Sequence, residues 1–194
     1  MLKSVSQFIV LATLLAAAAC GPTDEALDEA VASQVVTNGA TYDLIGVHSG
    51  KCVDVAGVSV ADRANIRLWA CSGQGNQKFR FELQSDGTYR IASVHSGKCL
   101  DVQNVSTADG ANVQQYSCRS GDNQRWFVTD LGGDVVRLTA KHSNKVLDVA
   151  GIGTANGTNI HQWSNTGRTN QQFRLVPTSG SSSATPTPAT PATG

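Results

Sequence analysis

The sequence predicts an all-β domain made of three equal units, each of about four short strands, closed around an axis. Three observations carry that expectation. First, His48, His95 and His142 stand 47 residues apart, and the same stride relates Lys51, Lys98 and Lys145, then Asp54, Asp101 and Asp148, then Asn65, Asn112 and Asn159. Nine columns are identical in all three copies and no gap is needed to align them, which is the signature of a repeated architecture. Second, the repeated stretch holds only short β-branched or aromatic runs separated by Gly, Asn, Asp and Ser clusters, and no helical apolar stripe. Third, all five prolines lie outside residues 40–176.

The repeats run 40–86, 87–133 and 134–176. In the second copy the strand-like runs are 89–94, 99–102, 112–117 and 126–129, rich in residues that fit a pleated, half-buried surface. The turn after the first run reads His-Ser-Gly-Lys twice and His-Ser-Asn-Lys once, so Gly50, Gly97 and Asn144 share a column. Gly and Asn are the residues that best tolerate positive φ, which predicts a left-handed turn there in every copy. Four strands in each of three copies give about twelve. Stacked in a line they would leave two open edges; closed around a pseudo-threefold axis, the edges pair.

The ends are of another kind. Lys3 opens residues 1–19, and an apolar run from Phe8 to Ala19, broken only by Thr13, follows. That run is too short for a permanent membrane span and reads as an export signal. It ends Ala17-Ala18-Ala19-Cys20, which resembles a bacterial lipoprotein signal with Cys20 as the lipidated residue and new N-terminus; plain secretory cleavage after Ala19 is the alternative. Both place the chain outside the cytoplasm: in the cell envelope, at the outer membrane or surface, if anchored, and secreted if not. Residues 20–39 carry Asp24, Glu25, Asp28 and Glu29 with no basic residue, an acidic flexible spacer. Residues 177–194 contain only Pro, Thr, Ser, Gly and Ala, a tail that buries nothing. Across the chain 15 basic residues balance 15 acidic ones, so no basic field exists to hold nucleic acid or an anionic membrane surface. Contact with a membrane is expected only through the lipid anchor.

Each copy carries Gln-x-aromatic: Gln77-Lys78-Phe79, Gln124-Arg125-Trp126 and Gln171-Gln172-Phe173, with Lys98-Cys99-Leu100-Asp101-Val102 upstream in the second. With its threefold recurrence this resembles the ricin B-type lectin family over the whole of 40–176. The resemblance implies a β-trefoil and a carbohydrate-binding module of the kind attached to bacterial glycosidases. The chain departs from the pattern in having Phe at 79 and 173 in place of Trp, and in lacking cysteines in the third copy.

Apart from Cys20, the cysteines are Cys52, Cys71, Cys99 and Cys118. Four cysteines allow three pairings. The repeat favours 52–71 and 99–118, because both pairs occupy the same two columns, and in the third copy both columns change together, to Val146 and Asn165. A bond within each repeat predicts that joint loss. Zinc lacks a Cys-x-x-Cys pair, whereas an exported protein suits disulfides.

A sugar presents adjacent hydroxyls on one side and a flat patch of C–H on another. It is matched by a carboxylate that accepts from two hydroxyls, an amide that donates and accepts, and an aromatic face. Every copy supplies that set at constant spacing: Asp54, Trp69 and Asn76; Asp101, Tyr116 and Asn123; Asp148, Trp163 and Asn170. The resemblance implies that these columns line a shallow pocket in each unit. Two residues before the ring stand Arg67, Gln114 and His161, and the resemblance favours Gln114, making the second copy the most complete and the third next. A structural alternative stays open: the Asp could tie down a turn, and the alternation Arg67-Leu68-Trp69 leaves the facing of the ring undecided. Gln77, Gln124 and Gln171 with Phe79, Trp126 and Phe173 read instead as scaffold, the rings in the core and the amides on buried backbone. The three histidines, beside turn residues, are expected to be exposed rather than gathered on a metal. No cofactor and no metal is expected. No copy holds a nucleophile–base pair or paired acids, so the chain is not expected to be an enzyme. The expectation is a monomeric carbohydrate-binding protein with up to three weak sites for galactose- or xylose-type glycans, acting through avidity. The other class considered is a protein-interaction or inhibitory trefoil with inert sugar columns.

Overall fold

The computed structural model describes residues 36–178. Twelve strands occur among them: β1 Thr41–Gly46, β2 Cys52–Val55, β3 Ile66–Trp69, β4 Lys78–Leu83, β5 Tyr89–Ser93, β6 Cys99–Val102, β7 Val113–Tyr116, β8 Trp126–Gly132, β9 Val135–Ala140, β10 Val146–Val149, β11 Ile160–Trp163 and β12 Phe173–Pro177. All pairings are antiparallel. β1, β4, β5, β8, β9 and β12 pair in that order, and β12 returns to β1, so six strands close a barrel without a free edge. The remaining six form three hairpins, β2–β3, β6–β7 and β10–β11, one per repeat. The β-trefoil expectation therefore holds, with its four strands per unit.

The rings of the Gln-x-aromatic motif do what scaffold rings should. Phe79, Trp126 and Phe173 are fully buried in the common core beside Leu44, Phe81, Ile91 and Leu138. Trp126 Nε1 donates to the carbonyl of Leu100, a polar demand that phenylalanine does not make. Gly50, Gly97 and Asn144 take φ of 64°, 68° and 56°, the left-handed turn read from the sequence. The two disulfides are Cys52–Cys71 and Cys99–Cys118. Each ties the first residue of a hairpin to the loop behind its second strand.

Two expectations change. The histidines are half-buried, not exposed: His48 Nε2 meets the carbonyl of Gly153, His95 Nε2 that of Ser59 and His142 Nε2 that of Ser106. Each thus pins its own repeat to a loop of the repeat before it, the first repeat reaching the third. The packed body also begins ahead of residue 40. Val36 is buried, its carbonyl accepts from the Tyr89 hydroxyl, and Asn38 Oδ1 accepts from the Leu83 N–H. The end of the acidic spacer is therefore part of the fold. The export signal at 1–19, Cys20 and the tail beyond 178 lie outside the described residues.

Candidate functional site

The strands β2, β6 and β10 read Cys-Val-Asp-Val, Cys-Leu-Asp-Val and Val-Leu-Asp-Val, and every residue in them is buried. A carboxylate in such a strand must be fully hydrogen-bonded, because an unpaired buried charge is too costly to keep. All three aspartates meet that demand in the same way. Across the hairpin Asp54 faces Arg67, Asp101 faces Gln114 and Asp148 faces His161. Those partners donate to Asp Oδ1 at 3.0, 2.9 and 2.8 Å. Asp Oδ2 accepts from the Asn side chain at 2.7, 2.8 and 2.9 Å and from the following Gln at 3.0, 2.8 and 2.8 Å. These amides come from the short 3-10 turns Gly75–Gln77, Asp122–Gln124 and Thr169–Gln171.

The strand period settles which way the rings point. Residues two apart share a face, so Trp69, Tyr116 and Trp163 stand on the side of Arg67, Gln114 and His161, over the aspartates. Trp69 is 37% exposed, Trp163 39% exposed, and the aspartates at most 5%. A ring open to solvent above a buried acid is the arrangement a sugar face requires. Arg67 lies 3.9 Å from the centre of Trp69, and His161 stacks on Trp163 at 5.3 Å. In the first and third repeats the cross-strand residue therefore both donates to the acid and backs the ring. The resulting depressions measure about 300, 370 and 320 Å³ in the first, second and third repeats, at the low end for small-molecule pockets.

The hydrogen-bond inventory sharpens what the polar groups offer. Asn76 Nδ2 donates to Asp54 and to the Val55 carbonyl; Asn123 and Asn170 repeat this with the Val102 and Val149 carbonyls. Both N–H bonds are spent, so the amide expected to donate and accept keeps only its acceptor. In the first and third pockets that oxygen, Oδ1 of Asn76 and of Asn170, is buried with no protein partner. An orphan acceptor in a pocket floor costs about 1–3 kcal/mol unless a ligand or water satisfies it. Gln77, Gln124 and Gln171 brace the acids as well as the backbone: their Nε2 groups also reach the carbonyls of Ala70, Ser117 and Ser164.

All twelve sugar-column residues named from the sequence fall into these three pockets. Two further groups complete the pockets. Val58, Val105 and Ile152 line the pockets at φ of 52°, 53° and 56° and are about half exposed. A β-branched residue in the left-handed region is strained, and the same strain in all three copies puts an apolar wall in each pocket. Their column, always Val or Ile inside a polar turn, was the available signal. The second group comes from the preceding repeat. A Cβ on Gly157 would lie 3.9 Å from Trp69, and one on Gly110 would lie 3.6 Å from Trp163. At the same place by the second pocket stands Arg63.

Comparisons with known proteins agree with this fold. A family model described as ricin-type beta-trefoil lectin domain-like matches residues 31–116, 75–163 and 122–185. No curated protein matches the sequence. Among solved structures, the designed threefold-symmetric protein ThreeFoil is 48% identical with a TM-score of 0.69, over 70% of this chain and 97% of its own. An exo-beta-1,3-galactanase from Clostridium thermocellum is 35% identical with a TM-score of 0.71, over 74% of this chain but only 31% of that enzyme. The Macrolepiota procera ricin B-like lectin, solved with lactose, is 22% identical with a TM-score of 0.62, over 72% of this chain and 96% of its own.

Proposed function

The chain belongs to the ricin-type β-trefoil lectin family, and from that premise we propose that it is a non-enzymatic carbohydrate-binding protein whose three pockets each take one sugar residue. The observation that carries the proposal is the threefold recurrence of a solvent-reaching ring, exposed at Trp69 and Trp163 and partly so at Tyr116, and an apolar wall over a buried, acceptor-lined floor. A binding role without catalysis is supported by the state of the acids. Each carboxylate is held by three donors, which suits an acceptor of hydroxyl hydrogens better than a proton-transfer group. Galactose- or xylose-type glycans are the ligands proposed.

Shallow single-sugar sites bind at about millimolar strength, roughly −4 kcal/mol each. Three of them on one body, pointing apart around the pseudo-threefold axis, hold a polymer or glycan-coated surface by avidity. Anchoring through a lipid on Cys20 in the cell envelope, with the domain acting as a monomer, completes the proposal. The test is retention of the protein on immobilised galactan or xylan. Trp69→Ala, Tyr116→Ala and Trp163→Ala remove exposed rings without disturbing the buried acids, and the triple variant should elute unretarded while each single variant is only weakened. Undiminished retention of the triple variant rejects the proposal and favours a protein-interaction role.

A further inference from the structure

We propose that the second pocket is a subsite for a sugar residue carrying an anionic group, a carboxylate or a sulfate ester, with Arg63 and Arg119 as its specificity-determining residues. The inference rests on the sugar-binding reading above and concerns which sugar one pocket selects.

Both arginines line the depression that holds Asp101, Gln114 and Tyr116, and neither has a carboxylate partner among the described residues. The acid in that pocket is already satisfied, Asp101 being engaged by Gln114, Asn123 and Gln124. Two positive charges thus share the depression with one carboxylate whose hydrogen bonds come from neutral amides, which leaves the pocket net positive. The other pockets are balanced. In the first, Arg67 is paired with Asp54, and the positions of Arg63 and Arg119 are held by Gly157 and Ser72. In the third those positions are Gly110 and Thr166, and a single arginine, Arg168, lines the depression that holds Asp148.

Arg63 is not where the fold wants an arginine. Its φ is 69°, and the other two copies use glycine there, at 81° and 87°. Left-handed backbone disfavours any side chain with a Cβ, so the residue is kept against its local preference. The neighbouring ring changes with it: the glycines abut Trp163 and Trp69, whereas Arg63 accompanies the smaller Tyr116. Arg119 lies 5.3 Å from the centre of the Tyr116 ring, so a cation already flanks the ring that a sugar would cover. The second pocket has exchanged indole surface for positive charge. A neutral hexose cannot use that charge, whereas a carboxylate or sulfate accepts from the guanidinium fork in two parallel hydrogen bonds.

The test uses the full chain carrying Trp69→Ala and Trp163→Ala, which leaves the second pocket to be read alone. Calorimetric titrations compare a neutral galactose trisaccharide with a galacturonate trisaccharide and with galactose 6-sulfate. The expected result is about tenfold tighter binding of at least one acidic ligand at low salt, as charge-assisted hydrogen bonds supply, shrinking as ionic strength rises. Adding Arg63→Gly and Arg119→Ser, the residues of the first pocket, should bring the acidic-to-neutral ratio to about one. Preference for galacturonate assigns a carboxylate, and preference for the sulfated sugar a sulfate. A ratio near one with both arginines present, or a preference that survives their removal, overturns the proposal while leaving sugar binding intact. Failure of all three ligands to bind removes the sugar-binding reading with it.

Discussion

The junction between the first and second repeats and the seam between the third and first are built on the same backbone and fastened differently. At the first junction Asp62 meets the Lys98 ammonium at 2.6 Å and accepts from Ser117. Buried Gln115 donates to the carbonyls of Ser59 and Ala61 and accepts from the Ser96 hydroxyl. The second junction repeats every part with Asp109, Lys145, Ser164, Gln162 and Ser143. At the seam the corresponding residues are Asn156, Lys51, Ala70 and Leu68. The backbone bonds Gly157 N–H to Leu68 O and Leu68 N–H to Thr158 O survive, as does the histidine bond, but the side-chain clasp is gone. The seam is also where β1 and β12 pair along five residues. The other junctions carry the same pairing, β4 with β5 over five residues and β8 with β9 over six, so the seam differs in its side chains alone, where Leu68 fills with apolar volume the place of a buried amide.

The largest test of this comparison concerns cross-links. Replacing Cys52 and Cys71 with serine, or Cys99 and Cys118, should lower unfolding free energy by about 3 kcal/mol by loop entropy, read from urea denaturation. The third repeat, with Val146 and Asn165 in those columns, already folds without such a bond, so a variant lacking both disulfides should still reach the same circular dichroism spectrum at low temperature. Next in size, Gln115→Leu or Gln162→Leu imposes the seam's residue on a clasped junction. The carbonyl of Ala61 or Ala108 and a serine hydroxyl then lose their partner, while the Ser59 or Ser106 carbonyl keeps its histidine, at a cost of about 1 kcal/mol; a loss below the error of the urea midpoint would show the clasp to be ornamental. Smaller still, Arg63→Gly should raise stability by up to about 1 kcal/mol by releasing left-handed strain, despite the loss of a charge. Asn144→Gly at another left-handed position is the control.

Acid should separate the junctions last and most gently. The Lys98 ammonium, outweighing a smaller opposing push from burial and helped by Ser117, holds the Asp62 carboxyl below its ordinary 3.8; Lys145 and Ser164 do the same for Asp109. A depressed folded-state value means that each clasp stabilises fully above pH 3.8 and is lost as pH falls below it. The double variant Asp62→Asn, Asp109→Asn, which copies Asn156, should therefore lose less of its urea midpoint than the parent over that acid range. An equal loss would place the acid sensitivity elsewhere, with Asp86 the next candidate, since Thr88 and Lys141 also lower its pKa.

What could be read in advance follows from what repeats. Recurring columns announced the three units, the cysteine pairs and the Asp, ring and Asn trios that share a depression, because each of those depends on residues at fixed spacing within a unit. Contacts between units recur at the same stride, in the columns of His48 and Asn65, but the stride does not say what each residue meets. His95 meets Ser59 and Arg63 reaches the second pocket from the first repeat, in columns with no chemical likeness to their partners. A histidine beside Ser and Gly looks like a turn residue until the neighbouring loop is in place. The facing of Trp69 depended on strand register, which alternation of only three residues does not fix. Val36 and Asn38 precede the first repeat and have no counterpart in the others, so nothing periodic marked them as packed.

The saturated carboxamides of Asn76 and Asn170 carry a consequence for glycan chemistry. With every N–H committed to an aspartate or a main-chain oxygen, that part of the pocket floor interrogates hydrogens and ignores lone pairs. O-acetylated or O-methylated polysaccharide, whose capped positions have no hydrogen to give, should slip past these two sites, and a deacetylating or demethylating activity on the same polymer would switch recognition on.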